Sequence, residues 1–389
     1  MTSIARARNA TLLMFACNGF MFASWMARLP DVKSILGLTP GQLGVMLLGT
    51  SAGALIGLPL AGRITDAVGA RRAGRIGIVL ATIGLVAAAL AVHVELSMFL
   101  VMPGMCFLGF GNGVWDVAQN LEGTEVEQAQ GKSIMPWFHA GFSGGTVLGA
   151  LVGAAIVALK VPVLWHLLVV CLIAAGGAWW ATSAFLPSRP PLAQSSEPGT
   201  EPARSAWLEP RTLMIGVMVL AAAFTEGTAN DWMAVAFVDG HGVQKATGVL
   251  ALAVFLTAMT IGRIAGTALL DRYGRLPVLY LMFGAAVAGS VLVIFGNTTV
   301  AFIGAAIWGV GASLGFPVGM SAAADDPARA PMRISVVATI GYMAFLAGPP
   351  VLGFLGDHFG ILRGLLLVSL VSVLAMLAVP SARPLQKES

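Results

Sequence analysis

Residues 62–72 read GRITDAVGARR, a polar island set between two apolar runs, 41–62 and 75–95. The island returns further down the chain. Asp66-Ala-Val-Gly69-Ala-Arg71 is echoed by Asp271-Arg272-Tyr-Gly274-Arg275, an offset of 205, again between apolar runs. Two more echoes keep the same order. Phe107-Leu-Gly109-Phe-Gly111 matches Ile307-Trp-Gly309-Val-Gly311 at an offset of 200, and Trp25-Met26-Ala27 matches Trp232-Met233-Ala234. Three echoes in one order indicate an internal duplication.

The apolar runs set the class of the protein. Hydrophobic residues make up 57% of the 389 and charged residues 10%, against roughly 25% charged in soluble domains. A water-soluble surface cannot be built from that balance, so the chain is read as an integral membrane protein. The start, MTSIARARNATLLMFACNGF, has the basic flank of a signal peptide, but its apolar stretch continues to Leu29 with no small-residue cleavage site; it is read as a retained first span. Twelve runs are long enough to cross a bilayer: 8–29, 41–62, 75–95, 97–120, 134–158, 162–185, 211–236, 246–269, 277–296, 299–322, 333–356 and 361–380, spans 1 to 12. Thr39-Pro40-Gly41-Gln42 is a capping box with proline at the first helical position, which starts span 2. Cys17, Cys106 and Cys171 are isolated in apolar runs and read as small buried hydrophobes.

Twelve spans put both termini on one side. With that side cytoplasmic, seventeen of the Lys and Arg residues fall inside and only Arg28, Lys33, Lys160, Lys245 and Arg363 outside, a strong positive-inside bias. The net charge of +4 follows from topology, and no basic stripe suits nucleic acid. Residues 187–210, PSRPPLAQSSEPGTEPARSAWLEP, hold six prolines and read as a cytoplasmic linker between two six-helix halves, 1–186 and 211–389. The expected fold is all-α, twelve transmembrane helices in two pseudo-symmetric bundles.

The polar island resembles the loop motif of the major facilitator superfamily: Gly62, Asp66, Gly69, Arg71 and Arg72 after span 2, and Asp271, Arg272, Gly274 and Arg275 after span 8. The first copy departs at Ala67 and Ala70, where basic residues are usual, and the second has Thr267 for the leading glycine. Within that family the chain looks closest to a poorly characterised bacterial branch, which implies a monomeric, multi-pass inner-membrane protein working by alternating access. In such folds spans 2, 5, 8 and 11 make the contact between halves. The glycines at every fourth position in span 2 (Gly49, Gly53, Gly57) and span 5 (Gly141, Gly145, Gly149, Gly153), with Gly262 and Gly266 in span 8, are expected to serve it. Loop charges pair by position: Arg71 and Arg72 lie with Glu122, Glu125 and Glu127, and Arg272 and Arg275 with Asp325 and Asp326.

The same resemblance implies that spans 1, 4, 7 and 10 line a cavity. Span 4 carries Asn112, Asp116 and Asn120 on one face; span 7 carries Glu226 and Asn230, with Asp231 turned away; span 1 offers Asn18, Trp25 and Arg28; span 10 has only Ser313 and Ser321. A carboxylate at mid-bilayer costs about 3 kcal/mol, whereas a polar helix–helix contact returns about 0.6. Acids at such positions therefore point to function. Asp116-Val-Ala118-Gln-Asn120 resembles the acid-x-Ala-x-Asn stretch of fucose-type sugar–proton symporters, although Leu121 replaces a proline and span 1 lacks a second acid. His139 is expected at the depth of Asp116, mirrored about a loop centred near residue 126, so the pair is assigned to proton coupling. Glu226, Asn230, Asn120, Asn112, Asn18 and Trp25 are assigned to substrate, and Arg28 with Asp231 to an outer gate. His93, His166, His241 and His358 sit near span ends, where solvated positions suffice.

No metal-ligand spacing and no nucleophile–base arrangement is present, so no metal, no cofactor and no enzyme activity is expected. The reading is a secondary transporter coupling protons to symport of a small polar solute such as a sugar or related metabolite. A proton-driven exporter of an amphiphilic compound and a non-transporting receptor of the same fold are the alternatives. Against the exporter stands the lack of an arginine in span 4 and of a Gly-Pro in span 5.

Overall fold

The computed structural model describes residues 3–132, 134–186, 206–326 and 329–385; of the expected linker, 187–205 lie outside the described residues. Twelve helices are long and apolar enough to cross a membrane, and no strand occurs among the described residues. Spans 2 to 9 run Pro40–Val68, Ala70–His93, Met98–Gln130, Met135–Ala158, Val163–Thr182, Pro210–His241, Lys245–Tyr273 and Arg275–Phe295. Span 11 is Ala330–Phe359.

Three spans are interrupted. Span 1 breaks between Ser3–Met26 and Leu29–Ile35, where Pro30 opens the second piece; span 10 breaks between Thr298–Ala312 and Gly315–Ala323; span 12 breaks between Ile361–Gly364 and Leu366–Ala378. The capping box that starts span 2 is formed, with Thr39 Oγ1 accepting from Gln42 N at 3.2 Å and Gln42 Oε1 from Thr39 N at 2.9 Å.

Two compact units emerge: Met1–Ser195 with Gln244–Leu250, and Ser196–Val243 with Ala251–Ser389. In the first, span 4 packs on spans 2 and 3, and span 1 on spans 5 and 6; in the second, span 9 packs on 10, and span 7 on 11 and 12. The duplication holds at atomic level inside the units. A Cβ on Gly109 would strike the Thr50 carbonyl oxygen, and one on Gly309 the Phe255 carbonyl oxygen; Gly111 meets the Ala81 amide and Gly311 the Ala286 amide. Both neighbours shift by the 205 residues that separate the two polar islands. Gly69 and Gly274 also match, at φ 81° and 77°, each joining two helices through left-handed backbone that glycine alone adopts freely. Gly360 repeats that turn at φ 82° in Asp357-His-Phe-Gly360, a third copy that the sequence comparison passed over.

Within each unit the glycine stripes lie against a neighbouring span. Gly49, Gly53 and Gly57 close on Met102, Cys106 and Phe110 of span 4; Gly141, Gly145 and Gly149 on Leu12, Ala16 and Phe20 of span 1; Gly262 and Gly266 on Ser313 and Leu314 of span 10. Backbone meets backbone at Gly49, Gly53, Gly57, Gly145 and Gly149, while at Gly266 the nearest atoms belong to the Leu314 side chain. Gly53→Val should thus cost at least about 3 kcal/mol, the upper range of overpacking, because backbone carbonyl rather than a movable side chain blocks the new atoms. Thermal unfolding in detergent checks it; a change of a degree or two would show that spans 2 and 4 are not meshed this tightly.

Candidate functional site

In the first unit, span 4 presents Asn112, Asp116 and Asn120, all half-buried. Asp116 Oδ1 accepts from Gln119 Nε2 at 3.0 Å and Asn120 Nδ2 at 3.2 Å, and Asn120 Nδ2 also reaches the Asp116 carbonyl at 2.8 Å. The carboxylate is thus held by neutral amides. Gln119, absent from the sequence assignments, is fully buried and leaves its Oε1 without a partner. Span 4 continues to Gln130 and span 5 starts at Met135, so the connection is not centred near residue 126. The mirror argument for His139 fails accordingly. His139 nonetheless lies within electrostatic reach of Asp116, exposed, with its ring edge-on to Phe15 at 5.3 Å.

Span 1 contributes buried Asn18, neither of whose side-chain polar atoms has a partner, and buried Trp25, whose indole N–H has none; the Trp115 N–H of span 4 is likewise unpartnered. Arg28 lies at the break in span 1, 2% exposed. Its guanidinium donates to Asp31 Oδ2 at 2.7 Å, His166 Nδ1 at 2.9 Å and the Val161 carbonyl at 2.8 Å. Within its own unit Arg28 has a local counter-charge: the break presents Asp31, three residues on, to Arg28 directly. His166 is buried, not solvated, because it completes this site.

In the second unit, Glu226 meets a partner from another span. Arg263 lies inside span 8, and its Nη2 donates to Glu226 Oε1 and Oε2 at 2.9 Å each. Its Nε donates to the Ser313 carbonyl at 3.3 Å. That carbonyl sits at the break in span 10, where the helix offers it no amide. Arg263 thus ties span 7 to a discontinuous helix, the arrangement that leaves backbone polar groups free at membrane depth. The Trp308 indole of span 10 holds the other side, donating to the Thr225 carbonyl at 3.2 Å. Asn230 Oδ1, Thr228 Oγ1 and the Trp232 N–H stay unpartnered on span 7, and Asp231 is half-buried there.

The loop motif is used unequally. Arg71 donates to the Phe185 carbonyl at 2.7 Å, and Glu122 accepts from Leu186 N at 2.8 Å, so first-unit charges cap the end of span 6. In the second unit Arg275 pairs with Asp325 at 2.7 Å, as its position suggested, while Arg272 lies over the Tyr273 ring. Gly62, Asp66, Arg72 and Asp271 are exposed. In the second unit Glu209 binds Arg333 at 2.7 Å, Arg329 at 2.5 Å and the Thr212 hydroxyl at 2.8 Å. Burial pushes the Glu209 carboxyl up, but the hydrogen bonds from Thr212 and Arg333 and the two arginine charges outweigh it and hold the group below the ordinary glutamate range. A depressed carboxylate adds stability at neutral pH that is lost as pH falls below about 4.3 and through its folded value. Glu209→Gln should lower the unfolding temperature at pH 7 and have a smaller effect at pH 3. An equal effect at both would rule out the charge as the cause.

Comparison with known proteins places these features. The profile described as Major Facilitator Superfamily matches residues 11–331 and again 250–388. A protein of Sinorhizobium fredii named Uncharacterized transporter y4wD is 31% identical over 94% of this chain and 95% of its own. The crystal structure of a D-xylose-proton symporter superposes with a TM-score of 0.77 at 16% identity, covering 99% of this chain and 100% of the other. That of the E. coli fucose:proton symporter gives 0.67 at 16%, covering 98% and 99%. With its duplicated six-span pattern, its two loop-motif copies and a profile match along most of its length, the chain belongs to the major facilitator superfamily.

Proposed function

We propose that the protein is a secondary active transporter of a bacterial inner membrane that couples proton movement to symport of a small polar solute such as a sugar or related metabolite. Both termini face the cytoplasm, and halves 1–186 and 211–389 alternate access about the linker 187–210. The observation that carries this reading is the set of buried polar atoms left without partners on spans 1, 4 and 7: Asn18, Trp25, Trp115 and Gln119 in one unit, Thr228, Asn230 and Trp232 in the other. Each unmet buried group costs about 1–3 kcal/mol. Neutral donors and acceptors of this kind suit a hydroxyl-rich solute better than an amphiphile. The xylose- and fucose-proton symporters named above support the coupling by their fold.

The two acids divide the work on physical grounds. Neutralising Glu226 would strand the Arg263 guanidinium in a hydrophobic span, whereas Asp116 is held by amides and can lose its charge without stranding another. Asp116 is accordingly assigned the proton, with His139 beside it, and Glu226 with Arg263 the orientation of the solute. Proteoliposomes loaded with a pH dye and offered a panel of sugars, polyols and nucleosides test the reading. Solute-dependent internal acidification supports it; alkalinisation, or uptake with no proton flux for any solute accepted, sinks the symport assignment.

A further inference from the structure

At the end of the first unit remote from residue 3, a recess of 560 Å³ opens between the second piece of span 1, the turn joining spans 5 and 6, and Gln244–Ala246. All its lining residues belong to that unit. Its size falls within the range of about 300–1,000 Å³ typical of small-molecule sites.

The charges in it do not balance. Arg28, Lys160 and Lys245 line the recess with a single carboxylate, Asp31. Asp31 has both oxygens committed, Oδ2 to Arg28 at 2.7 Å and Oδ1 to Lys245 Nζ at 3.0 Å. Lys160 is exposed and makes no ion pair among the described residues. Lys160 also sits at φ 56°, where the chain closes the end of span 5 and Val161 N donates to the Ile156 carbonyl at 3.3 Å.

Arg28 is the built part of the site. It is nine-tenths buried and more, and it is fixed by Asp31, His166 Nδ1 and the Val161 carbonyl. Since a guanidinium has five N–H groups and three are engaged, one remains on each terminal nitrogen. Guanidinium N–H groups match the oxygens of a carboxylate or phosphate, and Arg28 lines the recess. A low-dielectric wall behind excess positive charge strengthens attraction for an anion over that in open water.

We propose that this recess binds a small polyanion bearing carboxylate or phosphate groups, with Arg28 taking one group and Lys160 and Lys245 another. The same chemistry is offered by a soluble polyanion and by an anionic lipid headgroup, so the experiment has one arm for each. The full chain is purified in neutral detergent and its unfolding temperature followed while citrate or inorganic phosphate is titrated at constant ionic strength set with sodium chloride. In parallel it is placed in nanodiscs of phosphatidylcholine with and without phosphatidylglycerol. Saturable stabilisation by citrate or phosphate is expected, with its midpoint moved at least tenfold upward in Lys160→Gln and in Lys245→Gln. Lys160→Gln breaks no ion pair among the described residues, so it keeps the test valid if Lys245→Gln folds poorly. Stabilisation by phosphatidylglycerol alone, lost in Lys160→Gln, supports the site and assigns it to a headgroup. A response that chloride reproduces, that Lys160→Gln leaves unchanged, or that neither source produces overturns the proposal.

Discussion

Asp116→Asn should abolish uphill accumulation of the solute while leaving its exchange across the membrane intact. Asparagine keeps the shape and the hydrogen-bonding capacity of the protonated acid but cannot release a proton. With one proton per solute, a pH difference of one unit stores about 1.4 kcal/mol and so sustains roughly tenfold accumulation. In the variant that ratio should fall to one, with counterflow of labelled solute at near-normal rates. The reason lies in its surroundings: Asp116 Oδ1 is held by Gln119 and Asn120, and no arginine or lysine among the described residues is hydrogen-bonded to it. Accumulation that survives in Asp116→Asn would move the proton to Glu226 or remove it from the mechanism.

The second large effect is expected at Glu226 and Arg263, the pair that joins span 7 to the broken span 10. Glu226→Gln leaves a cation, and Arg263→Gln an anion, without its counter-charge inside a span. Central charges cost about 2.5–3.5 kcal/mol on insertion scales. Glu226 and Arg263 keep 20% and 30% of their side-chain surface exposed, so roughly half that figure, about 1–2 kcal/mol, is expected for each single change. The double change removes both charges and should restore most of the lost unfolding temperature, giving clear coupling in a double-mutant cycle. Solute binding should fail in all three variants. Stability effects that simply add would show the pair to be incidental. Recovery of transport in the double variant would show that it is structural only.

Some of this site was readable in the chain alone, and the rest was not for identifiable reasons. Asp116 and Asn120 are four residues apart, so helix geometry brings them together whatever surrounds them, and their hydrogen bond follows. Arg28 and Asp31 are three apart across a proline-opened break, so their pairing too is a local matter. Glu226 and Arg263 are 37 residues apart on different helices. The clue was an arginine inside the apolar run 246–269, but nothing in the run says which way it faces.

Length and hydropathy by themselves determined that the chain has twelve spans, because a bilayer imposes a one-dimensional rule: about twenty apolar residues per crossing. The repeat offset determined that the two units are built alike, since duplicated sequence meets the same packing demands twice. Glycine spacing determined that some helix must come close. Only the tertiary structure decided which helix that was, where spans 1 and 10 break, and which cation meets which acid. Those outcomes depend on the rotation and depth of each helix against its neighbours, and side-chain packing across distant segments sets both.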